Sequence, residues 1–284
     1  MKERVYRFGP QRSLVGIYTE PSPDEMIPEA PLAVILNAGI VHHIGPFRLH
    51  VDLARRLADA GFRTLRLDLS GLGDSGLRAG KMDASQRALL DVRDALDFLQ
   101  QHHGVQRFVV MGLCSGAFNA HQATVADQRI VGAVFMDGIA FRTLGFYFRY
   151  FFLRLFRPRV WRNWFRRQWL SNSHNQRAET AGERLAEREF FGTGLKRDRT
   201  QKELEQLLQR GVNMLFLYTD GYDDVAGRGQ FKEMYGFAPD DRQLQLEYYE
   251  KSEHTFRLTQ NRQMAVARIA SWFRGHYGPP VPLS

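Results

Sequence analysis

The chain has 284 residues, is 44% hydrophobic and 25% charged, and carries a net charge of +8. That is ordinary globular composition, with room for one large α/β domain and an insertion. One cysteine, Cys114, excludes an intrachain disulfide and fits a reducing compartment. The opening MKERVYRFGP lacks the apolar core of a secretory signal, and no stretch reaches about 18 uninterrupted apolar residues. The expectation is a cytoplasmic protein, with peripheral contact the one membrane association left open.

In chain order, Val5–Tyr18 reads as an antiparallel pair and Leu32–Leu36 (LAVIL) as a buried strand. Val51–Ala60 follows with Leu53, Leu57 and Ala60 at helical spacing, then a strand at Phe62–Leu69. Ala84–Gln101 reads as a helix, Phe108–Met111 and Ile130–Met136 as strands. Met214–Tyr218 is a further strand, Leu244–Tyr249 an edge strand, and Met264–Phe273 a closing helix. Strands alternating with helices imply a mainly parallel sheet covered on both faces. The stretch from Gly138 to Gly211 is too long for an ordinary connection and mostly helix-compatible. The expected division is a core in two parts, 1–138 and 212–284, with a helical cap at 139–211.

Val109–Ala117 reads VVMGLCSGA: a strand runs into Gly112-Leu113-Cys114-Ser115-Gly116, followed by small residues. This is the form of the G-x-S-x-G elbow, with cysteine in the nucleophile's place. The start of a helix there favours a thiolate and a developing oxyanion. Ser115 is the weaker candidate, because Leu113 and Ala117 stand where its flanking glycines would be needed. Near the C-terminus His254 follows the last strand and precedes the last helix, the place for a catalytic base. An acid that orients it is expected in the loop after Met214–Tyr218, which holds Asp220, Asp223 and Asp224. Asp223 best fits the spacing, with Asp220 the runner-up. Oxyanion donors are expected from the N–H of Ser115 and from the loop after Leu32–Leu36, at Gly39 or Ile40. His42 and His43 follow, and at most one of them is expected to face the pocket. No HExxH, CxxC or other metal-ligand spacing occurs, so neither a metal nor a cofactor is expected.

NAGI at 37–40, LARRLADAGF at 53–62, DLSGLGDS at 68–75, GLCSGA at 112–117 and EHTF at 253–256 together resemble the α/β-hydrolase superfamily. The set is similar in particular to hydrolases associated with exosortase systems and to serine-aminopeptidase-like lipases and esterases. The resemblance implies an α/β-hydrolase fold and a triad in the order nucleophile, acid, histidine. It departs from the common pattern in two places. Asn37-Ala38-Gly39 stands for the usual His-Gly, and cysteine replaces serine, as in dienelactone hydrolases, bile-acid N-acyltransferases and polyhydroxyalkanoate synthases.

A thiol nucleophile gives a thioester intermediate, activated toward amines as well as water. Three readings follow: an ester or thioester hydrolase, an acyltransferase drawing on a thioester of CoA or a carrier protein, and a non-catalytic binding protein on the same fold. The expected partner is an acyl-bearing small molecule or acyl thioester, with an acyl-carrier protein as a further option. Between Phe141 and Leu170 stand eight arginines and no acid, so this segment alone carries the net charge of +8. Twelve of its thirty residues are aromatic. The expectation is a lid over Cys114, aromatics inward and arginines outward, with membrane-surface contact through 141–170 as an alternative. Nucleic acid is not expected.

Overall fold

The computed structural model describes residues 1–155, 196–240 and 242–279. Its strands are β1 (Lys2–Phe8), β2 (Leu14–Glu20), β3 (Leu32–Ile35), β4 (Thr64–Asp68), β5 (Phe108–Leu113), β6 (Ile130–Met136), β7 (Asn213–Thr219) and β8 (Leu244–Tyr249). They form one sheet in the order β1-β2-β4-β3-β5-β6-β7-β8. β1 and β2 pair antiparallel with each other, and β2 antiparallel with β4. Every other pairing is parallel. Strands such as β3 and β5 are apolar at nearly every position because helices cover both faces of the sheet.

Seven described helices do the covering: α1 (Leu49–Asp59), α2 (Ala84–His103), α3 (Ser115–Ala126), α4 (Leu144–Leu155), α5 (Arg197–Gln209), α6 (Gln230–Tyr235) and α7 (Thr259–Tyr277). Alternation along each strand divides the core. Phe108 and Val110 point to one side, with Val92 and Leu96 of α2, Ala120 of α3 and Leu204 of α5. Val109 and Met111 point to the other, with Leu53 and Leu57 of α1 and Ile269 and Phe273 of α7. Local chemistry sets the helix ends. Asp83 accepts from Gln86 N at 2.8 Å while the Gln86 side chain accepts from Asp83 N at 3.2 Å, and α2 closes on Gly104 with φ 65°.

The α/β-hydrolase fold read from the sequence is the fold observed, with strand positions within about two residues. One boundary differs. α5 falls inside the segment assigned to the cap, yet Leu204 and Leu207 lie buried in the core against the sheet. It is the helix that connects β6 to β7 across the sheet. Of the cap, α4 is described. The lid expected over Cys114 depends largely on residues 156–195, outside the described residues.

The parallel sheet reverses direction of progression at β3, since β4 lies on one side of it and β5 on the other. Ligands of such sheets bind beyond the carboxyl ends of the strands at that switch. The loops there are tied together by Asp68, at the end of β4 and fully buried. Its carboxylate accepts from Asn37 Nδ2 at 2.8 Å, His43 N at 2.6 Å, His43 Nδ1 at 2.7 Å and Asp74 N at 3.0 Å. Burial raises its affinity for a proton, but these bonds outweigh burial and hold it below the usual carboxylate range. A depressed carboxyl stabilises the fold above its unfolded pKa, and that stability is lost as pH falls through the folded value. Asp68→Ala strands four donor groups, from three residues, around a buried gap. It is expected to cost about 3 kcal/mol in urea unfolding at neutral pH, and the gap to wild type should shrink as pH drops below about 4. Equal stabilities at neutral pH would disprove this role.

Candidate active site

Cys114 sits between β5 and α3 with φ 58° and ψ −117°, a conformation that side chains rarely adopt. Its N–H donates to Met136 O of the neighbouring strand at 2.9 Å, and its carbonyl accepts from Ala117 and Phe118 N–H as α3 begins. The glycines flanking it are sterically required. A Cβ on Gly112 would lie 2.2 Å from the Gly116 carbonyl carbon, and one on Gly116 would lie 2.4 Å from the Asn37 carbonyl oxygen. Strand and helix can therefore meet closely enough to lift the thiol into the open, and Cys114 is exposed.

His254 lies in the loop between β8 and α7. Its Nδ1 is 3.0 Å from Asp137 Oδ2, and Cys114 is close enough to raise its proton affinity. Burial works against the imidazolium, but Asp137 and Cys114 outweigh it and push the group up to about 10. The arrangement thus favours a cationic imidazole beside the sulfur. Asp137 is fully buried. It is secured by Thr219, whose N–H donates to Oδ1 at 2.7 Å and whose hydroxyl donates to Oδ2 at 2.5 Å.

Among the described residues the carboxylate that meets His254 is Asp137, not the expected Asp223. Asp223 is exposed, Asp220 is exposed and accepts from Tyr248 Oη at 3.3 Å, and Asp224 pairs with Arg142 at 2.8 Å. The sequence reading searched the loop after β7, whereas the carboxylate comes from the end of β6. The two strand ends are adjacent because β6 and β7 are parallel neighbours, with Met136 paired to Leu217 and Asp137 N donating to Leu217 O at 2.9 Å. One strand spacing of about 4.8 Å separates their ends. The signal was present in Phe135-Met136-Asp137-Gly138, an acid at the carboxyl end of a buried strand.

On the other side of Cys114, the loop after β3 touches the start of α3. Gly39 N–H donates to Ser115 Oγ at 2.9 Å. The expected donor is thus beside the elbow, with its N–H satisfied by the hydroxyl of the residue after Cys114. Ser115 opens α3, where the first backbone N–H groups have no partner within the helix. Ile40 is exposed, one residue further along. A small cavity behind this loop is lined by Gly39, Ser70, Leu72, Arg87, Ser115 and Asn119. His43 turns away to Asp68, and exposed His42 packs edge-on against it at 5.3 Å. His43, Asp68 and Asp74 bring metal-ligand atom types within 4.8 Å of one another. Both Asp68 oxygens already accept hydrogen bonds, which marks the group as a structural knot.

The described part of the cap departs from aromatics inward and arginines outward. Phe146 is buried, but Tyr147 and Phe148 are 44% and 66% exposed. Arg142 pairs with Asp224, and Arg149 grips Glu233 of α6 through two bonds of 2.6 and 3.2 Å. These arginines fasten the cap to the core. Among the described residues no helix is long and apolar enough to cross a membrane.

A model of the alpha/beta hydrolase family matches residues 34–278. Comparison with curated proteins finds no match. Among solved structures, an esterase from Pyrococcus furiosus is similar with 12% identity and a TM-score of 0.63, over 98% of this chain and 92% of that one. A proline iminopeptidase from Mycobacterium smegmatis shares 15% identity at a TM-score of 0.56, over 97% and 98% of the two chains. An alpha-beta serine hydrolase homologue from Coxiella burnetii shares 15% at 0.55, over 94% and 97%. At these identities the likeness is one of fold.

The acid's identity has a direct test. Asp137→Asn should lower kcat by about 10³–10⁴, as loss of the orienting carboxylate does in triads generally. Asp223→Asn and Asp220→Asn should stay close to wild type, measured on any ester the protein turns over. The reverse ranking would place the acid after β7.

Proposed function

The chain belongs to the alpha/beta hydrolase family, and from that premise we propose that it is an acyl hydrolase acting through Cys114, His254 and Asp137. The observation that carries the reading is the set of three groups at the sheet's carboxyl edge: an exposed thiol on a strained elbow, an imidazole whose proton affinity that thiol raises, and a buried carboxylate bonded to the imidazole.

In the proposed reaction Cys114 sulfur attacks the carbonyl carbon of an ester or thioester. The resulting oxyanion receives the Ser115 N–H and the Gly39 N–H, the latter once the Ser115 hydroxyl gives way. The carbon–leaving-group bond breaks, His254 gives its proton to the leaving oxygen or sulfur, and an acyl-cysteine thioester remains. Water then attacks, His254 takes its proton, and the thiol is released with a carboxylic acid. Asp137 holds His254 with Nε2 toward the reacting atoms throughout. Ile40, the other loop residue considered as a donor, is not needed in this scheme.

The exposure of Cys114 to solvent supports hydrolysis over transfer to a second acceptor. An acyltransferase would use the same first half-reaction, with an amine or hydroxyl replacing water and a CoA or carrier-protein thioester as donor. Contact of the 141–170 segment with a membrane surface is a separate proposal, resting on its eight arginines and twelve aromatics.

Intact mass after exposure to p-nitrophenyl acetate tests the assignment. Wild type is expected to carry one acetyl group transiently, and Cys114→Ala none, with activity abolished. Ser115→Ala should acylate and turn over within about an order of magnitude of wild type. An acetyl group that survives in Cys114→Ala but is missing from Ser115→Ala would overturn the nucleophile.

A further inference from the structure

The Nδ1 bond to Asp137 fixes one atom of His254 and leaves the ring free to swing about it. A second contact removes that freedom. The Tyr222 ring lies against the imidazole with centroids 5.4 Å apart and planes within 15°. Behind Tyr222, on the same stack, Tyr218 lies at 6.3 Å and 11°. Tyr218 is buried in β7 and its hydroxyl donates to Ile139 O at 2.8 Å, so the stack rests on a fixed ring. A turn closed by Tyr222 N–H to Thr219 O at 3.1 Å sets the position of Tyr222. The same Thr219 holds the Asp137 carboxylate with both its donors. One turn, Thr219–Tyr222, therefore grips the acid at its first residue and the histidine at its last.

We propose that Tyr222 is a positioning residue for His254, its ring face fixing the plane of the imidazole and supporting the imidazolium form beside Cys114. This rests on the Cys114–His254–Asp137 reading above and deepens it. The physics is that of an electron-rich aromatic face against a cation, which prefers offset stacking at such distances. The groups facing His254 are Asp137 from the end of β6, Cys114 from the elbow and Tyr222 from the turn after β7. Glu253, its neighbour in sequence, is engaged with Leu258 N and Asn261 Nδ2. The phenol cannot serve as an anion here. Burial, with Asp224, Cys114 and Asp137 nearby, raises its proton affinity well above the ordinary value. Tyr222 thus offers the imidazolium a neutral ring.

Because Cys114 is the only thiol, alkylation by iodoacetamide followed by intact mass reports on this site alone, without any substrate. At neutral pH, Tyr222→Phe should alkylate at the wild-type rate. Tyr222→Leu and Tyr222→Met, which stay apolar but lose the ring face, should be about three- to tenfold slower. On a p-nitrophenyl ester the same two variants should lower kcat and leave KM unchanged. Thermal melts within a few degrees of wild type show that they fold. Wild-type alkylation in both aliphatic variants overturns the role of Tyr222, as does a Phe variant slowed as much as they are. Wild-type alkylation in His254→Ala removes instead the thiol–imidazole reading, and this proposal with it.

Discussion

A carboxylate cut off from water must be hydrogen-bonded on every side, and Asp137 meets that demand by joining three separate stretches of chain. Its own backbone N–H binds the end of β7, its side chain takes both donors of Thr219, and its remaining lone pair faces His254. Removing any of these leaves charge buried and unpaired, which is costlier than never having buried it. The loop carrying His254, the turn after β7 and the end of β6 are therefore mutually committed. Cys114 completes the set from the adjacent strand, where its N–H binds Met136 O, one residue before the acid.

Much of this was legible before any coordinates. The alternation of apolar runs with helical patterns placed Ile130–Met136 at its observed ends, because a buried parallel strand reads as an unbroken apolar segment, and Leu244–Tyr249, apolar at alternate positions at its start, as the edge strand it is. The spacing of Gly112, Cys114 and Gly116 was equally readable, since both glycines answer a steric demand that any side chain would violate. The carboxylate beside His254 was not anticipated because a loop with three aspartates is a louder signal than one Asp-Gly after a strand. Which of two parallel neighbours supplies a carboxylate is decided by packing across the sheet, and linear spacing does not record that. The contact of Tyr222 with His254 was hidden for the same reason.

The helix Arg197–Gln209 was assigned to the insertion because nothing in a polar amphipathic sequence says whether its apolar stripe meets a cap or a sheet. The arginines at the entrance of the cap were read as a solvated face. Two of them instead bind acids on the core side, Arg142 to Asp224 and Arg149 to Glu233. A count of charges along a chain registers their excess but not their partners, which here lie 82 and 84 residues away.

The chain leaves the sheet immediately after the acid, and the departure is firmly pinned. Asp137 and Ile139 both take positive φ, at 42° and 56°, and the Ile139 carbonyl accepts from two buried tyrosines, Tyr218 and Tyr235. That clamp fixes the direction in which the chain departs toward α4. On the proposed reading, changes of sequence in the connection beyond Ile139 can alter what the site admits while Asp137 keeps its hold on His254, so substrate range and chemistry are free to evolve separately.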